Sequence, residues 1–323
     1  MRLKKLLPLL FLLFLLLLIP FTGNRYLIYV ISLAAVLSIG AVGLDILMGY
    51  AGQICFGQAG FLAVGAYVTA YMVKQGLSFW LSLPLGGVCA AVAGLMIGLP
   101  ALRIRGHYLA LATMSFAYII HLVLVHWESV TGGPRGLVAG RPTWPISFAE
   151  DQYLYFPIIL IAICMVLIAR NIVKSRYGRA FVALQKDEIV SKAMGINITR
   201  CKTLAFLISS FYAGIAGGLY GALLGFLDPL SFTIMDSANF VMMVILGGRG
   251  TLYGGIIGAT FFTILPELLR DAQKWQELSF GLIFICFLIF MPNGVMGFVR
   301  KLQVSRRENV SNEKEQDNGK RKP

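Results

Sequence analysis

The residues able to do chemistry are few, and most of them sit in one polar run. Between residues 170 and 202 the chain carries eight Lys and Arg residues. Part of this run reads as a moderately amphipathic helix. Val182, Ile189 and Ala193 share a face at helical spacing, with Ala183, Val190 and Met194 beside them. Gln185, Lys186, Asp187, Glu188 and Lys192 supply the polar side. Gly195 follows as its C-cap, and Ile196-Asn197 lead out. Such a helix either lies on a membrane surface or docks a cytoplasmic partner, using its apolar residues as anchors and its charges for register.

Catalysis is poorly provided for. His107, His121 and His126 fall in or at the ends of one apolar block. No carboxylate or cysteine joins them at ligand spacing, so interfacial anchoring is expected and no metal. The five cysteines lie in or at the ends of apolar stretches and read as packing residues. No G-x-x-x-x-G-K-[ST] run occurs, so the chain binds no nucleotide by a P-loop. If it works at the expense of ATP, the ATPase is another subunit. Ionisable groups inside apolar blocks are Asp45, Asp228, Asp236 and Glu267, most of them near block ends. Proton- or sodium-coupled transport needs buried carboxylates near the midplane, and their scarcity argues against it. Asp45, in Gly43-Leu44-Asp45, is either such a group or a helix-end residue.

The elements that must position these residues are membrane spans. Of 323 residues, 58% are hydrophobic and 13% charged. Soluble domains run nearer 45–50% and about 25%. A soluble core cannot absorb that surplus, which excludes a soluble enzyme, a secreted disulfide scaffold and a disordered chain. A spanning helix takes about 20 apolar residues. Apolar blocks occupy 6–21, 26–47, 54–73, 79–102, 107–127, 153–172, 203–226, 240–246 with its flanks, 252–265 and 278–299. The first resembles a signal peptide but lacks a small-x-small cleavage site, so an uncleaved span is expected.

The expected fold is therefore all-α and polytopic, with about ten transmembrane helices. Eight full spans plus broken helices is the alternative. Blocks 54–73 and 236–265 are Gly-rich, and the second opens with Asp236 and Asn239. Such segments suit re-entrant or discontinuous helices buried by protein. Stretches 49–73 and 212–227 are loosely alike, and Gly214, Gly217, Gly218 and Gly221 suit close helix packing. The net charge is +13. Of the 28 Lys and Arg residues, 21 fall in four clusters at 2–5, 103–105, 170–202 and 300–322. Ten crossings with both termini cytoplasmic put all four clusters and Arg249 inside, leaving six outside: Arg25, Lys74, Arg135, Arg141, Arg270 and Lys274. No basic patch alternates with stacking aromatics, so no nucleic-acid partner is expected.

Several motifs now combine. Gly178-Arg179-Ala180 through Ala193-Met194-Gly195-Ile196-Asn197, then Lys202-Thr203-Leu204-Ala205-Phe206, resembles the coupling-loop region of ABC transporter permeases. More narrowly, it is similar to the permease subunits of branched-chain amino acid importers. Gly49-Tyr50-Ala51-Gly52-Gln53, Phe56-Gly57-Gln58-Ala59-Gly60-Phe61 and Gly65-Ala66-Tyr67 resemble that family's first Gly-rich signature. Leu102-Arg103-Ile104-Arg105-Gly106 with Tyr108-Leu109-Ala110, Thr131-Gly132-Gly133 with Gly136-Leu137, and Gly247-Gly248 with Gly250-Thr251 match its later motifs. The likeness covers roughly 26–300. Gln58 stands where many relatives carry His, and Pro134-Arg135 fill a variable part of the external loop.

The resemblance implies a permease domain (26–300) with a coupling loop at 173–202; outside it, a basic segment and first span (1–25) precede, and the charged, aperiodic tail (301–323) reads as a disordered cytoplasmic end. The resemblance implies a non-enzymatic permease subunit in a bacterial plasma (inner) membrane, forming half of a translocation pathway. A paralogous permease, two cytoplasmic ATP-binding subunits and an extracytoplasmic binding protein are the expected partners, beside membrane lipid. ATP and Mg are expected on the partner subunit, with no cofactor bound here. Arg179, Asp187 and Glu188 would set the electrostatic register of coupling, Val182, Ile189 and Val190 would anchor it, and Gly195 would end the helix. Gly52, Gln53, Gly57, Gln58, Gly60 and the Thr113/Ser115 pair either face the pathway or pack locally. Thr131, Gly132 and Gly133 would help receive the binding protein. Leucine, isoleucine and valine are the family-level substrates; urea, short amides or other amino acids, and an ion-coupled secondary transporter, are the alternatives.

Overall fold

The computed structural model describes residues 24–101, 107–142, 150–269, 276–291 and 294–297. The chain runs through α1 (Arg25–Asp45, prolonged by a π-helical turn, Ile46–Tyr50), α2 (Gln58–Lys74), α3 (Phe79–Ala101), α4 (His107–His126) and α5 (Glu128–Thr131). Then come strand β1 (Leu137–Val138), α6 (Glu150–Lys174), α7 (Arg176–Lys186), α8 (Glu188–Ala193) and α9 (Ile198–Leu224). Strand β2 (Phe226–Leu227), α10 (Ile234–Gly247), α11 (Leu252–Leu268) and α12 (Gln276–Phe290) follow. Among the described residues six helices are long and apolar enough to cross a bilayer, in α1, α3, α4, α6, α9 and α10 with its leading turn; α11 is a shorter apolar helix. The protein is an all-α, multi-pass membrane protein. The expected first span at 6–21, the basic turn at 102–106 and the charged tail at 301–323 lie outside the described residues.

Helix α9 is the centre of the bundle, packed on α1, α2 and α3, while α1 turns its other sides to α6, α10 and α11. Within a bilayer, lipid competes equally for apolar side chains, so helices hold together by close backbone approach. Glycine supplies that here. A Cβ on Gly65 of α2 would fall on the Gly214 backbone of α9, and one on Gly217 would fall on the Leu62 carbonyl.

The Gly-rich block after α1 is a break. Residues 51–57 form no helix, and the Gln58 side chain donates to the Gly40 carbonyl at 2.8 Å. Gly40 lies ten residues before Tyr50, so the chain folds back about 15 Å along α1 before α2 begins. The 17 residues of α2 then reach only about 25 Å. Its first turn meets that of α10, where the Ala59 amide donates to Ser237 Oγ at 3.0 Å. The two short helices start together inside the bundle and run to opposite ends. Val73 near the end of α2 packs on Gly140, just beyond β1, whereas the turn after α10 brings Gly250 against Gly49. The expectation of discontinuous helices in these blocks matches this arrangement.

Candidate functional site

At the Tyr50 end of the bundle, α7 and α8 project as a short two-helix hairpin. The sequence suggested one helix with a shared apolar face; the structure has two, divided at Asp187, whose backbone is extended (φ −159°, ψ 118°). Asp187 breaks the helix because its carboxylate serves better as a cap. Oδ1 accepts from the amides of Ile189 at 2.7 Å and Val190 at 3.1 Å. Ser175 Oγ caps α7 by accepting from the Tyr177 amide at 3.2 Å, and Asn197 Oδ1 caps α9 by accepting from the Arg200 amide at 3.0 Å. Gly195 turns the chain at φ +80°, a left-handed conformation suited to glycine after a helix.

The break separates the expected anchors. Phe181 and Leu184 of α7 are buried beneath the bundle end, with Val182 half-buried. On α8, Ile189 is 78% exposed and Val190 48%, and Met194 at its C-cap is 74% exposed. These three large apolar side chains form an apolar patch facing away from the bundle. Arg179 is exposed, its Nη1 donating to the Lys174 carbonyl at 3.2 Å. Glu188 points inward to Lys202 of α9, Nζ to Oε1 2.5 Å. Asp187 and Glu188 thus have internal tasks, a cap and an ion pair, that the sequence reading did not assign them.

Gly52 links this hairpin to the broken segment. It is exposed with φ +70°, and a Cβ there would stand 3.1 Å from Gln185 Cγ of α7. The remaining pathway candidates, Ser115 apart, are packed inside the bundle. Gln53 is buried, its Nε2 donating to the Ala51 carbonyl at 3.3 Å. Gln58 is fully buried; besides bonding Gly40 it accepts from Ser209 Oγ at 3.3 Å, joining α1, α2 and α9. Gly57 and Gly60 lie against the Thr113 carbonyl and Ala117 of α4, at 3.2 and 3.0 Å from where a Cβ would be. Thr113 Oγ1 accepts from the Phe56 amide at 3.0 Å and donates to the Ala110 carbonyl at 2.9 Å. Ser115 is exposed. The Thr113/Ser115 pair therefore does not share a face, since positions two apart on a helix point in nearly opposite directions.

At the far end, Thr131 is buried. Its hydroxyl donates to the carbonyls of Leu124 at 2.7 Å and Trp127 at 2.8 Å and accepts from the Gly133 amide at 3.2 Å. Gly132 (φ +78°) and Gly133 (φ +54°) carry the turn toward β1, which pairs antiparallel with β2, Leu137 opposite Leu227. The surface offered here is Pro134, Arg135 and Val138, with Thr131 and Gly133 beneath it. Three of the four acidic residues of the apolar blocks are structural in placement. Asp228 Oδ1 accepts from the Leu230 amide at 2.9 Å, and Asp236 closes a capping box with Thr233 at the start of α10. Asp45, fully buried at the start of the π-turn, accepts from the Gly250 amide through Oδ1 at 2.8 Å. Sequence reasoning missed this tie and the Glu188–Lys202 pair, because Asp45 and Gly250 are 205 residues apart and the turn that brings Glu188 back to Lys202 follows no single-helix spacing.

Residues 26–291 match the family model described as branched-chain amino acid transport system / permease component. The chain is 32% identical over 307 residues to the high-affinity branched-chain amino acid transport system permease protein LivM of Salmonella typhimurium, covering 87% of this chain and 72% of that one. It is 27% identical to the corresponding permease protein LivH of Escherichia coli K12, over 83% of this chain and 93% of the relative. It is 25% identical to the autoinducer 2 import system permease protein LsrC of Escherichia coli O9:H4, over 65% and 64%. No solved structure matches. With a family model spanning most of the chain and the LivM likeness beside it, this protein belongs to the permease components of branched-chain amino acid transport systems.

Proposed function

We propose that this chain is the membrane subunit of an ATP-driven, binding-protein-dependent importer of branched-chain amino acids, docking its ATPase on α7 and α8. The observation that carries the reading is the patch of Ile189, Val190 and Met194, presented outward on a helix capped at one end by Asp187 and ion-paired to the central helix. Exposed large apolar groups on a polar loop cost solubility unless a partner covers them, and the basic residues of 170–202 support a cytoplasmic side for this loop. Ten crossings with both termini inside follow from the same charge asymmetry. The β1–β2 end then faces outward, where a substrate-binding protein would rest on Pro134, Arg135 and Val138.

The pathway would run between this chain and a paralogous permease. The bland packing of Gln53, Gly57, Gln58, Gly60 and Thr113 supports that reading, since those candidates fill the interior of the bundle. Two ATPase subunits closing on ATP would displace the hairpins and rock the attached helices between inward- and outward-facing states. The likeness to LsrC, an autoinducer 2 import system permease, supports a second reading in which the substrate is not an amino acid, with selectivity resting largely on the binding protein.

The test is purification of the tagged chain with its genomic neighbours in mild detergent. A stoichiometric ATPase and a second permease should co-purify, and Ile189→Asp with Met194→Asp should release the ATPase while the chain stays in the membrane. A chain that purifies alone and sustains uptake in vesicles without ATP overturns the proposal.

A further inference from the structure

We propose that the Glu188–Lys202 ion pair is the strut through which α8 moves α9, so that both are positioning residues for coupling; this rests on the docking reading above. Lys202 is 4% exposed, and its side chain meets Glu188, itself only 27% exposed at the side chain, at 2.5 Å. A buried ammonium has surrendered its hydration and holds its place through its counter-charge. Pulling α8 away from α9 would strand that charge, so the two elements travel together.

Little else fastens α8. Of its six residues only Ser191 is buried, and the Ile196 amide donates to the Ser191 carbonyl at 3.1 Å within the turn that follows. Its other side chains, Ile189 and Val190 foremost, face outward, where a partner would push. The contact of α7 with the bundle break is of another kind. Gln185 lies against Gly52 through aliphatic carbons, a surface without direction that can slide.

The consequence is set by what α9 is. It has 27 residues, a rod of about 40 Å, packed at the bundle centre against α1, α2 and α3. Its last turn leads through Gly225 (φ +74°) into β2, which pairs with β1. A displacement of α8 is therefore delivered along one continuous helix to the strand platform at the opposite end. The strut joins the ATPase side to the side where a binding protein would sit.

The experiment uses the whole complex in proteoliposomes and reads uptake per ATP hydrolysed. Glu188→Gln and Lys202→Gln should each keep the ATPase bound and hydrolysing while uptake per ATP falls several-fold. The exchange of both, Glu188→Lys with Lys202→Glu, should recover most of the loss. Wild-type uptake per ATP in the single variants overturns the strut, and so does a parallel fall of uptake and hydrolysis, which would assign the pair to docking or folding. A second measurement needs no change to the pair. Spin labels at Lys192 of α8 and Thr199 of α9, both exposed, should keep one separation with and without ATP, and a shift between the two states overturns the proposal. A wild-type chain that binds no ATPase at all instead sinks the docking reading, and the strut with it.

Discussion

Gln58 gives the sharpest test of whether the Gly-rich break lines a passage or joins helices. Its side chain is fully buried, with Nε2 donating to the Gly40 carbonyl at 2.8 Å and Oε1 accepting from Ser209 Oγ at 3.3 Å. Gln58→Leu removes both bonds at nearly constant volume. Each is worth roughly 0.5–1.5 kcal/mol net, and polar contacts between transmembrane helices average nearer 0.6 kcal/mol. The loss should be about 1–2 kcal/mol, toward the upper end because the buried Ser209 hydroxyl is left beside an apolar group without its acceptor. Gln58→Glu should be worse. It sets a carboxylate against the Gly40 carbonyl with no cation among the groups bonded to Gln58, at a cost of roughly 3 kcal/mol or more. The assay is thermal inactivation of the detergent-solubilised chain followed by size exclusion, run beside uptake of two different substrates by the reconstituted complex. The expected order of melting is wild type, then Leu, then Glu, with uptake of both substrates reduced in equal proportion. A Gln58→Leu variant that melts like wild type yet alters the ratio of the two substrates refutes the packing argument and returns Gln58 to the pathway.

Other residues yield shorter tests. Asp187→Ala should cost about 1 kcal/mol of cap stability and weaken ATPase binding in a pull-down, whereas Asp187→Ser, which keeps a capping oxygen without charge, should restore most of it; equal loss in both would make the charge itself the contact. Gly52→Val meets a φ of +70° and the Gln185 side chain together, so its uptake should fall, and adding Gln185→Ala should relieve only the crowding because the backbone cost of about 1–2 kcal/mol persists. Full rescue by Gln185→Ala would show that no left-handed conformation is needed there. In intact cells, cysteine introduced as Val138→Cys at a 72% exposed position should react quickly with an impermeant thiol reagent, Thr131→Cys slowly, and Ile189→Cys only after permeabilisation. The opposite sidedness would invert the topology.

Much of the architecture was legible because one rule dominates in lipid. Long apolar blocks become helices, so α1, α3, α4, α6 and α9 fall close to the blocks read from the sequence. The breaks were legible for a related reason: glycine clusters such as 49–60 weaken a helix and let backbones approach. What the sequence did not disclose is how each broken end is satisfied. Gln58 bonding Gly40 and Ser209, or Ser237 receiving the Ala59 amide, are choices made by three-dimensional neighbours. The helix division at Asp187 was hidden differently. Apolar residues at 182, 189 and 193 fit helical spacing on paper, but a capping carboxylate inside the run competes with the helix and wins. Thr113 and Ser115 were grouped by composition when their spacing already sets them on different faces.

The acidic residues show why a chain with so few intramembrane charges need not use any of them for coupling to ions. Asp228 and Asp236 spend their oxygens on backbone amides or hydroxyls at helix starts, where four donors would otherwise stay unpaired in an apolar surrounding. Asp45 spends one oxygen on Gly250, fixing the Gly-rich turn after α10 to the end of α1 at the point where Gly49 and Gly250 are too close to admit a side chain. Asp187 and Glu188 hold the α7–α8 hairpin in shape. Each carboxylate described here stabilises a junction between helices, and the junctions at Asp45, Gly52 and Glu188 lie together at the end where α7 and α8 project. On the proposed docking reading, a push on that hairpin would reach the central helix through Lys202 while the Gly52 contact slides. Energy released on a partner would then reorient the bundle without any titrating group inside the membrane.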